Sequence, residues 1–212
     1  TSGENLFALF LLMARILSRV RASAKPGAIH IVGASGGGKS SLLRAIAGLW
    51  SGGSGCITRP KADEMLFLPQ RPYMAVGSLR NQLLYPNNHD RHVSDEELLL
   101  LLEMVNLSNV AKRFGGLDAE LEWDKVLSVG EQQRLAIGRV LLAKPRYAIL
   151  DEATSALDLR NEEHLYSQLT GMSTTLVSVS HRPTLLKYHH HVLTLSGDGG
   201  WQLHSARHYR FN

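Results

Sequence analysis

The sequence is poor in cysteine, in long apolar stretches and in blocks of one charge. Cys56 is the sole cysteine among 212 residues, so no disulfide can form within the chain and a reducing compartment fits. The apolar run Leu6–Leu12, continued by Met13 and Ala14, falls well short of the ~18–20 residues that span a bilayer. Arg15, Arg19 and Arg21 follow it at once. It also lacks a basic start and a small-residue cleavage site, so a buried or amphipathic first element is expected rather than a secretory signal. No other stretch is long enough to cross a membrane. Lysine and arginine total 23 against 19 acids, a net charge of +4, with a pI near 9.3. They never reach the density of a nucleic-acid-binding face, so a solvated basic surface and no nucleic-acid partner are expected. No repeat, heptad array or low-complexity tract is present. The remainder is 44% apolar and 20% charged, enough for one globular domain with room for a subdomain.

What is present begins with Ala28–Val32, an apolar run that reads as a strand. It leads straight into Gly33, Ala34, Ser35, Gly36, Gly37, Gly38, Lys39 and Ser40, the pattern G-x-x-x-x-G-K-[ST] with a strand before and a helix after. Glycines let backbone N–H groups turn inward around a triphosphate, and a helix over Ser40–Ala47, with Ser41 in its first turn, adds a positive N-terminal end. Lys39 is expected at the β and γ phosphates and Ser40 on Mg²⁺. Leu42, Leu43, Ile46 and Leu49 recur at helical spacing and are expected to bury that helix.

A second informative stretch is Leu127–Asp158. Ser128 and Glu131 have the spacing of a capping box, so a helix is expected to start at Ser128. Leu135, Ile137, Val140, Leu141 and Leu142 supply its apolar content, and Pro145 ends it. Tyr147–Leu150 reads as a strand buried on both faces, ending in Asp151 and Glu152. Two acids at the carboxyl end of a strand are either an ordinary polar strand end or a pair placed where open α/β sheets bind ligands.

Met65–Leu68 is another strand candidate and ends at Pro69-Gln70; Cys56–Thr58 is a shorter one. Gln70 reads either as a polar strand end or as a side chain whose amide reaches Mg²⁺ or an attacking water. From Gly77 to Val105 the pattern is helical, with a start signal at Ser94-Asp95-Glu96-Glu97 and a leucine run expected to pack in the core. A surface loop precedes Ser94, and a further helix is expected over Leu107–Phe114. Thr174–Val179 reads as a buried strand delivering Ser180 and His181. His191–Leu195 and Trp201–His204 flank a glycine-rich turn, the pattern of a hairpin. The run His189–His191 could hold a metal, but a polar turn at a strand edge is the expected reading.

With these motifs in this order, the chain resembles the nucleotide-binding domain of ABC transporters over about residues 25–205. The resemblance implies an α/β P-loop ATPase core, a mixed sheet with flanking helices, formed by residues 1–76 and 146–212. It implies a helical subdomain at 77–145. Gly33–Ser40 matches the Walker A loop, Tyr147–Asp151 the Walker B strand, Gln70 the Q-loop and His181 the switch histidine. Leu127–Glu131 matches the signature, whose usual LSGGQ reads LSVGE here, with Ser128, Val129, Gly130 and Glu131 facing a partner's ATP. Ser155, Ala156, Leu157 and Asp158 match the D-loop. By the same resemblance ATP and Mg²⁺ are the cofactors, and Ser40, Gln70 and Asp151 hold the metal. Glu152, His181, Gln70 and Lys39 carry hydrolysis. The partners implied are a second nucleotide-binding domain and transmembrane domains, in the same polypeptide or another subunit, with the ATPase on the cytosolic face of a membrane.

LPQRPYMAVGSLRNQLLYP and WDKVLSVGEQQR are similar to the D subfamily of half-transporters, which implies fatty acids or their CoA esters as cargo, with cobalamin or peptides in related branches. The first 24 residues depart from the family pattern, so Phe7 and Phe10 are adenine-stacking candidates by position alone. The competing class is a soluble ABC-type ATPase acting on DNA or ribosomes. It fits less well, because the Q-loop and signature are not separated by a coiled coil and one cassette is present. A GTPase or kinase-like P-loop protein would not account for LSVGE.

Overall fold

A computed structural model describes residues 28–50, 59–86 and 92–211. The apolar run at Leu6–Leu12 with Phe7 and Phe10, the strand read at Cys56–Thr58 and most of the loop before Ser94 lie outside the described residues. The described chain falls into two compact units. One comprises the residues up to Phe67, Pro145–Glu152 and those from Ser173 onward; the other comprises Leu68–Lys144 and Ala153–Met172.

The first unit is organised on a sheet. Its strands are β1 (Ile29–Gly33), β2 (Met65–Leu68), β3 (Tyr147–Asp151), β4 (Thr175–Val179), β5 (His191–Leu195) and β6 (Trp201–Ser205), in the order β2-β3-β4-β1-β5-β6. β3, β4, β1 and β5 run parallel, and β6 closes the edge antiparallel to β5, so the sheet is mixed. β3 and β4 are almost wholly buried, which is why they read as continuous apolar runs. β1 is buried to the same extent, and its two faces meet different clusters. Ile29 and Ile31 join Leu42, Leu43 and Ile46 of helix α1 (Lys39–Ala47) in one core cluster. Each fully buried leucine or isoleucine there contributes roughly 1.5–3 kcal/mol. Leu49, expected in that cluster, is instead 74% exposed. Gly48 adopts φ 80° and ends α1 at Ala47, so Leu49 lies past the last turn.

The other face of β1 carries Val32, in a cluster with Val192 and Ala206, and His30, which is fully buried. The His30 ring stacks on His189, centroids 5.0 Å apart. His30 Nε2–H donates to the Ser180 carbonyl at 3.0 Å. His189 Nδ1–H donates to the Leu185 carbonyl at 2.7 Å, and its Nε2 accepts from the Ser178 hydroxyl at 2.9 Å. Carbonyl partners thus set the tautomer of each ring. The expected polar turn at His189–His191 is therefore corrected at its first residue, which is buried. Both of its nitrogens are engaged by protein, leaving no lone pair for a metal.

The second unit is helical: α2 (Leu79–Leu84), α3 (Asp95–Met104), α4 (Val110–Arg113), α5 (Trp123–Val126), α6 (Val129–Ala143) and α7 (Leu159–Thr170). Reciprocal capping boxes start α3 and α6: Ser94 with Glu97, and Ser128 with Glu131. In the leucine run Leu98, Leu101 and Leu102 are buried, whereas Leu99 and Leu100 are exposed, as helical periodicity requires. The helix expected over Leu107–Phe114 is a single turn, α4, closed by Gly115 at φ 89°. α7 had no counterpart in the sequence reading. Its Asp158 caps the Asn161 N–H at 2.9 Å, and Leu165, Tyr166 and Leu169 form its buried stripe.

Burial lowers the His30 pKa to about 4 and that of His189 to about 3, each depressed further by a neighbouring imidazole and only partly restored by its carbonyl partner. Folded protein therefore binds fewer protons than unfolded chain between those values and the ordinary histidine value of about 6.5. Stability is expected to be at its plateau above pH 6.5, to fall as pH drops toward 4, and to level off near 3. His30 accounts for on the order of 3 kcal/mol of that loss. Denaturant melts across this pH range check the slope, which should shrink in His30→Leu.

Candidate functional site

In the first unit, β1 ends at Gly33, where an added Cβ would lie 2.5 Å from the Leu195 carbonyl oxygen. Only glycine lets the β5 backbone approach so closely. The chain then turns through Gly36 (φ 76°) and Gly38 (φ 89°), left-handed positions that favour glycine, with the Gly37 N–H donating to the Ala34 carbonyl at 3.0 Å. Gly38 is the residue before α1, whose first turn holds no acid to offset its positive end. Lys39 is 7% exposed, and its Nζ donates to the carbonyls of Gly33 and Ala34, both at 2.9 Å. The ammonium is thus folded over the loop rather than extended to solvent. Ser35 and Ser41 flank the turn on the loop and on α1.

Ser40 Oγ donates to Asp151 Oδ1 at 3.3 Å, joining the first turn of α1 to the end of β3. Burial raises the Asp151 pKa and the neighbouring Glu152 charge adds to the rise, while Ser40, Arg44 and Lys39 oppose it. A carboxylate whose charge is disfavoured, beside a hydroxyl oxygen, is the donor set that a hard, oxygen-seeking cation such as Mg²⁺ fits. Glu152 has φ 50°, rare for a residue with a side chain, and its N–H is tied to the Val179 carbonyl at 3.0 Å. Such backbone costs roughly 1–3 kcal/mol and persists where the surroundings impose it. The turn leaves Glu152 Oε1 3.6 Å from His181 Nε2, just beyond β4. Gly33, Asp151 and His181 all belong to carboxyl ends of neighbouring parallel strands, where ligands bind in open α/β sheets.

The remaining residues singled out in the sequence lie in the second unit. Ser128 is the exposed N-cap of α6; its hydroxyl accepts the Glu131 N–H at 3.3 Å and donates to Glu131 Oε2 at 3.0 Å. Burial pushes the Glu131 pKa up, but the Ser128 N–H, the Arg113 guanidinium at 2.7 Å and the Ser128 hydroxyl outweigh it and hold the carboxyl below its ordinary value. Val129 is exposed beside it. A Cβ on Gly130 would meet the Ala156 carbonyl at 3.3 Å, so this position is held small by the segment Ser155–Asp158. Gln70 is exposed, with its backbone carbonyl engaged by Gln133.

Gln133 was not anticipated from the sequence. Its buried amide donates to the Gln70 carbonyl at 3.0 Å and the Ser155 hydroxyl at 3.2 Å, and accepts the Ala156 N–H at 2.9 Å. Arg139 was missed as well: it is buried and donates to the carbonyls of Gln82 and Tyr73 at 2.7 and 2.8 Å. A polar residue at an interior helix position, two of them flanking Leu135–Gly138, was the available signal.

Residues 17–155 match the family model described as ABC transporter. The chain belongs to the ABC transporter family. It is 56% identical over 174 residues to an uncharacterized ABC transporter ATP-binding protein of Synechocystis, covering 82% of this chain and 26% of that protein. It is 43% identical over 210 residues to the chloroplastic ABC transporter D family member 2 of Arabidopsis thaliana, with 78% and 30% covered. It is 43% identical over 183 residues to the lysosomal cobalamin transporter ABCD4 of Mus musculus, with 82% and 30% covered. The chain thus spans between a quarter and a third of these relatives' lengths. Among solved structures it is similar to a bacterial Atm1-family ABC exporter with ATP bound, with a TM-score of 0.73, 26% identity, and 85% of this chain and 34% of the exporter covered. The P-loop fold and the ATP-binding character of this ABC domain follow from these matches.

Because its folded pKa is raised, ionised Asp151 opposes folding at neutral pH, and that opposition disappears as pH falls below the raised value. Asp151→Asn is therefore expected to melt higher than the parent without divalent cation, and to lose the stabilisation that Mg²⁺ with nucleotide gives the parent; thermal melts with and without both ligands check this. Gln133→Leu removes the bonds to the Gln70 carbonyl, the Ser155 hydroxyl and the Ala156 N–H and is expected to cost about 1–3 kcal/mol in denaturant unfolding.

Proposed function

We propose that this ABC domain hydrolyses MgATP, and that each ATP is enclosed by two such domains. The observation that carries the reading is the convergence of Lys39, Ser40, Asp151, Glu152 and His181 at the carboxyl edge of one sheet. Gly33–Ser41 cradles the phosphates through backbone N–H groups and the positive end of α1, and Lys39 leaves its two carbonyl partners for the β and γ oxygens. Ser40 and Asp151, with Gln70 by the motif resemblance, would hold Mg²⁺, whose charge would offset that of the phosphates. Glu152 orients the attacking water or takes its proton, and His181 contacts the γ-phosphate. Positioning and charge neutralisation dominate, since phosphoryl transfer asks little covalent chemistry of the protein.

Ser128, Val129, Gly130 and Glu131 close over the ATP of the partner domain, with Ser155–Asp158 at the seam. An acid at the fifth signature position would repel a γ-phosphate. Arg113, paired with Glu131 at 2.7 Å, offsets that charge and supports the assignment despite the departure from the usual motif. Binding draws the two domains together, hydrolysis releases them, and membrane-spanning segments convert the cycle into transport, with this domain on the cytosolic face. The resemblance of Leu68–Pro86 and Trp123–Arg134 to the D subfamily supports a fatty acid or acyl-CoA cargo. Cobalamin is the second reading, favoured by the similarity to the lysosomal cobalamin transporter. Uptake of each by vesicles bearing the intact protein separates them.

Glu152→Gln is expected to bind ATP with unchanged affinity, to turn over at least about 100-fold more slowly, and to accumulate as an ATP-bound dimer on gel filtration. Undiminished phosphate release in that variant removes Glu152 from the role.

A further inference from the structure

We propose that His30 is a positioning residue for His181: its Nε2–H clamps the Ser180 carbonyl and so fixes the turn that presents His181 to Glu152. The proposal rests on the reading of His181 as part of the hydrolytic site. Ser180 is the hinge of that turn and is held at two atoms. Its carbonyl accepts from His30 at 3.0 Å, and its hydroxyl accepts the Arg182 N–H at 3.1 Å. His181 lies between these two bonds, with its own side chain half exposed and 3.6 Å from Glu152. Ser180 thus carries one local and one long-range bond, and His30 supplies the long-range one.

Plain core packing does not account for a histidine at this place. His30 pairs with Ser178 across β1 and β4, on the face that also holds Val32 and Val192, where an aliphatic side chain would fit the strand pattern. Its Nδ1 is buried without a partner among the described residues, a cost an aliphatic residue would avoid. The ring is instead braced in one orientation. It stacks on His189 at 5.0 Å and lies 6.0 Å from the Phe211 ring, while His189 is itself locked by Leu185 and Ser178. Such bracing aims a donor at a defined point, as second-layer groups do for the residues they orient. Since β1 also ends in the phosphate loop, His30 ties the strand that carries that loop to the turn that carries His181.

The test compares His30→Leu, His30→Gln and His181→Ala in the purified protein. Leucine fits the apolar face and removes an unpartnered nitrogen, so the fold is expected to persist, with circular dichroism as the check; glutamine can still reach the Ser180 carbonyl with an N–H. His30→Leu is expected to lower kcat roughly tenfold with KM for ATP within about twofold of the parent, and His30→Gln to restore most of the loss. In the nucleotide-free protein, the His181 ring-proton NMR signal should shift or broaden in His30→Leu and return in His30→Gln, a readout independent of turnover. Parental kcat and an unmoved His181 signal in His30→Leu, with His181→Ala inactive, overturn the positioning role alone. Full turnover in His181→Ala overturns the site reading and the proposal with it.

Discussion

A buried ammonium without an acidic partner is the constraint on which the rest of the site depends. Lys39 is almost wholly enclosed, and among the described residues it forms no ion pair; two backbone carbonyls are its hydrogen-bond partners. Carbonyl oxygens stabilise a cation only partly, so the arrangement is complete once an anion enters. The same logic runs in reverse at Asp151, a half-buried carboxylate next to a second acid, whose charge Arg44 and Lys39 offset only in part. The two groups lie at the carboxyl edge of one sheet, beyond β1 and at the end of β3 with β4 between them, and the proposed nucleotide phosphate with its metal would answer both.

The second unit is ordered differently, by side chains of α6 that bond backbone groups. Gln133, Gln132 and Arg139 face inward from α6, and each bonds backbone groups of other segments. The interior of this unit is therefore specified by directional bonds laid over an apolar stripe. Side chains that satisfy backbone donors and acceptors in this way set the conformation of irregular segments that have no ladder of their own. The segments so fixed are those containing Gln70, Leu127 and Ser155–Ala156.

Local signals in the sequence were good guides where the physics is local. The phosphate loop, the two capping boxes, the hairpin and the apolar strands depend on neighbours within a few residues, and their chemistry is written in short patterns. Leu49 was misplaced because periodicity alone does not register the glycine that ends α1. α7 escaped notice because its apolar positions are sparse between charged ones, and Asp158 was read as the end of a motif rather than as a cap. Glu152's left-handed backbone, the His30–His189 stack and the reach of Gln133 were not legible, since each depends on a partner brought near only by the fold. A histidine inside an apolar strand and glutamines inside a helix were visible as anomalies, but nothing in their spacing named what they would touch.

The place of β1 in the sheet has a bearing on how the protein is made. β1 and the phosphate loop are the earliest described parts of the chain to leave the ribosome. Yet both neighbours of β1 are late segments, since Ile29 pairs with Val177 on one side and His191 on the other. The backbone groups that close Gly33 against Leu195 belong to the last hairpin. Among the described residues the phosphate cradle is thus made first and completed last, because the strands that flank β1 and the backbone that closes on Gly33 come from the C-terminal part.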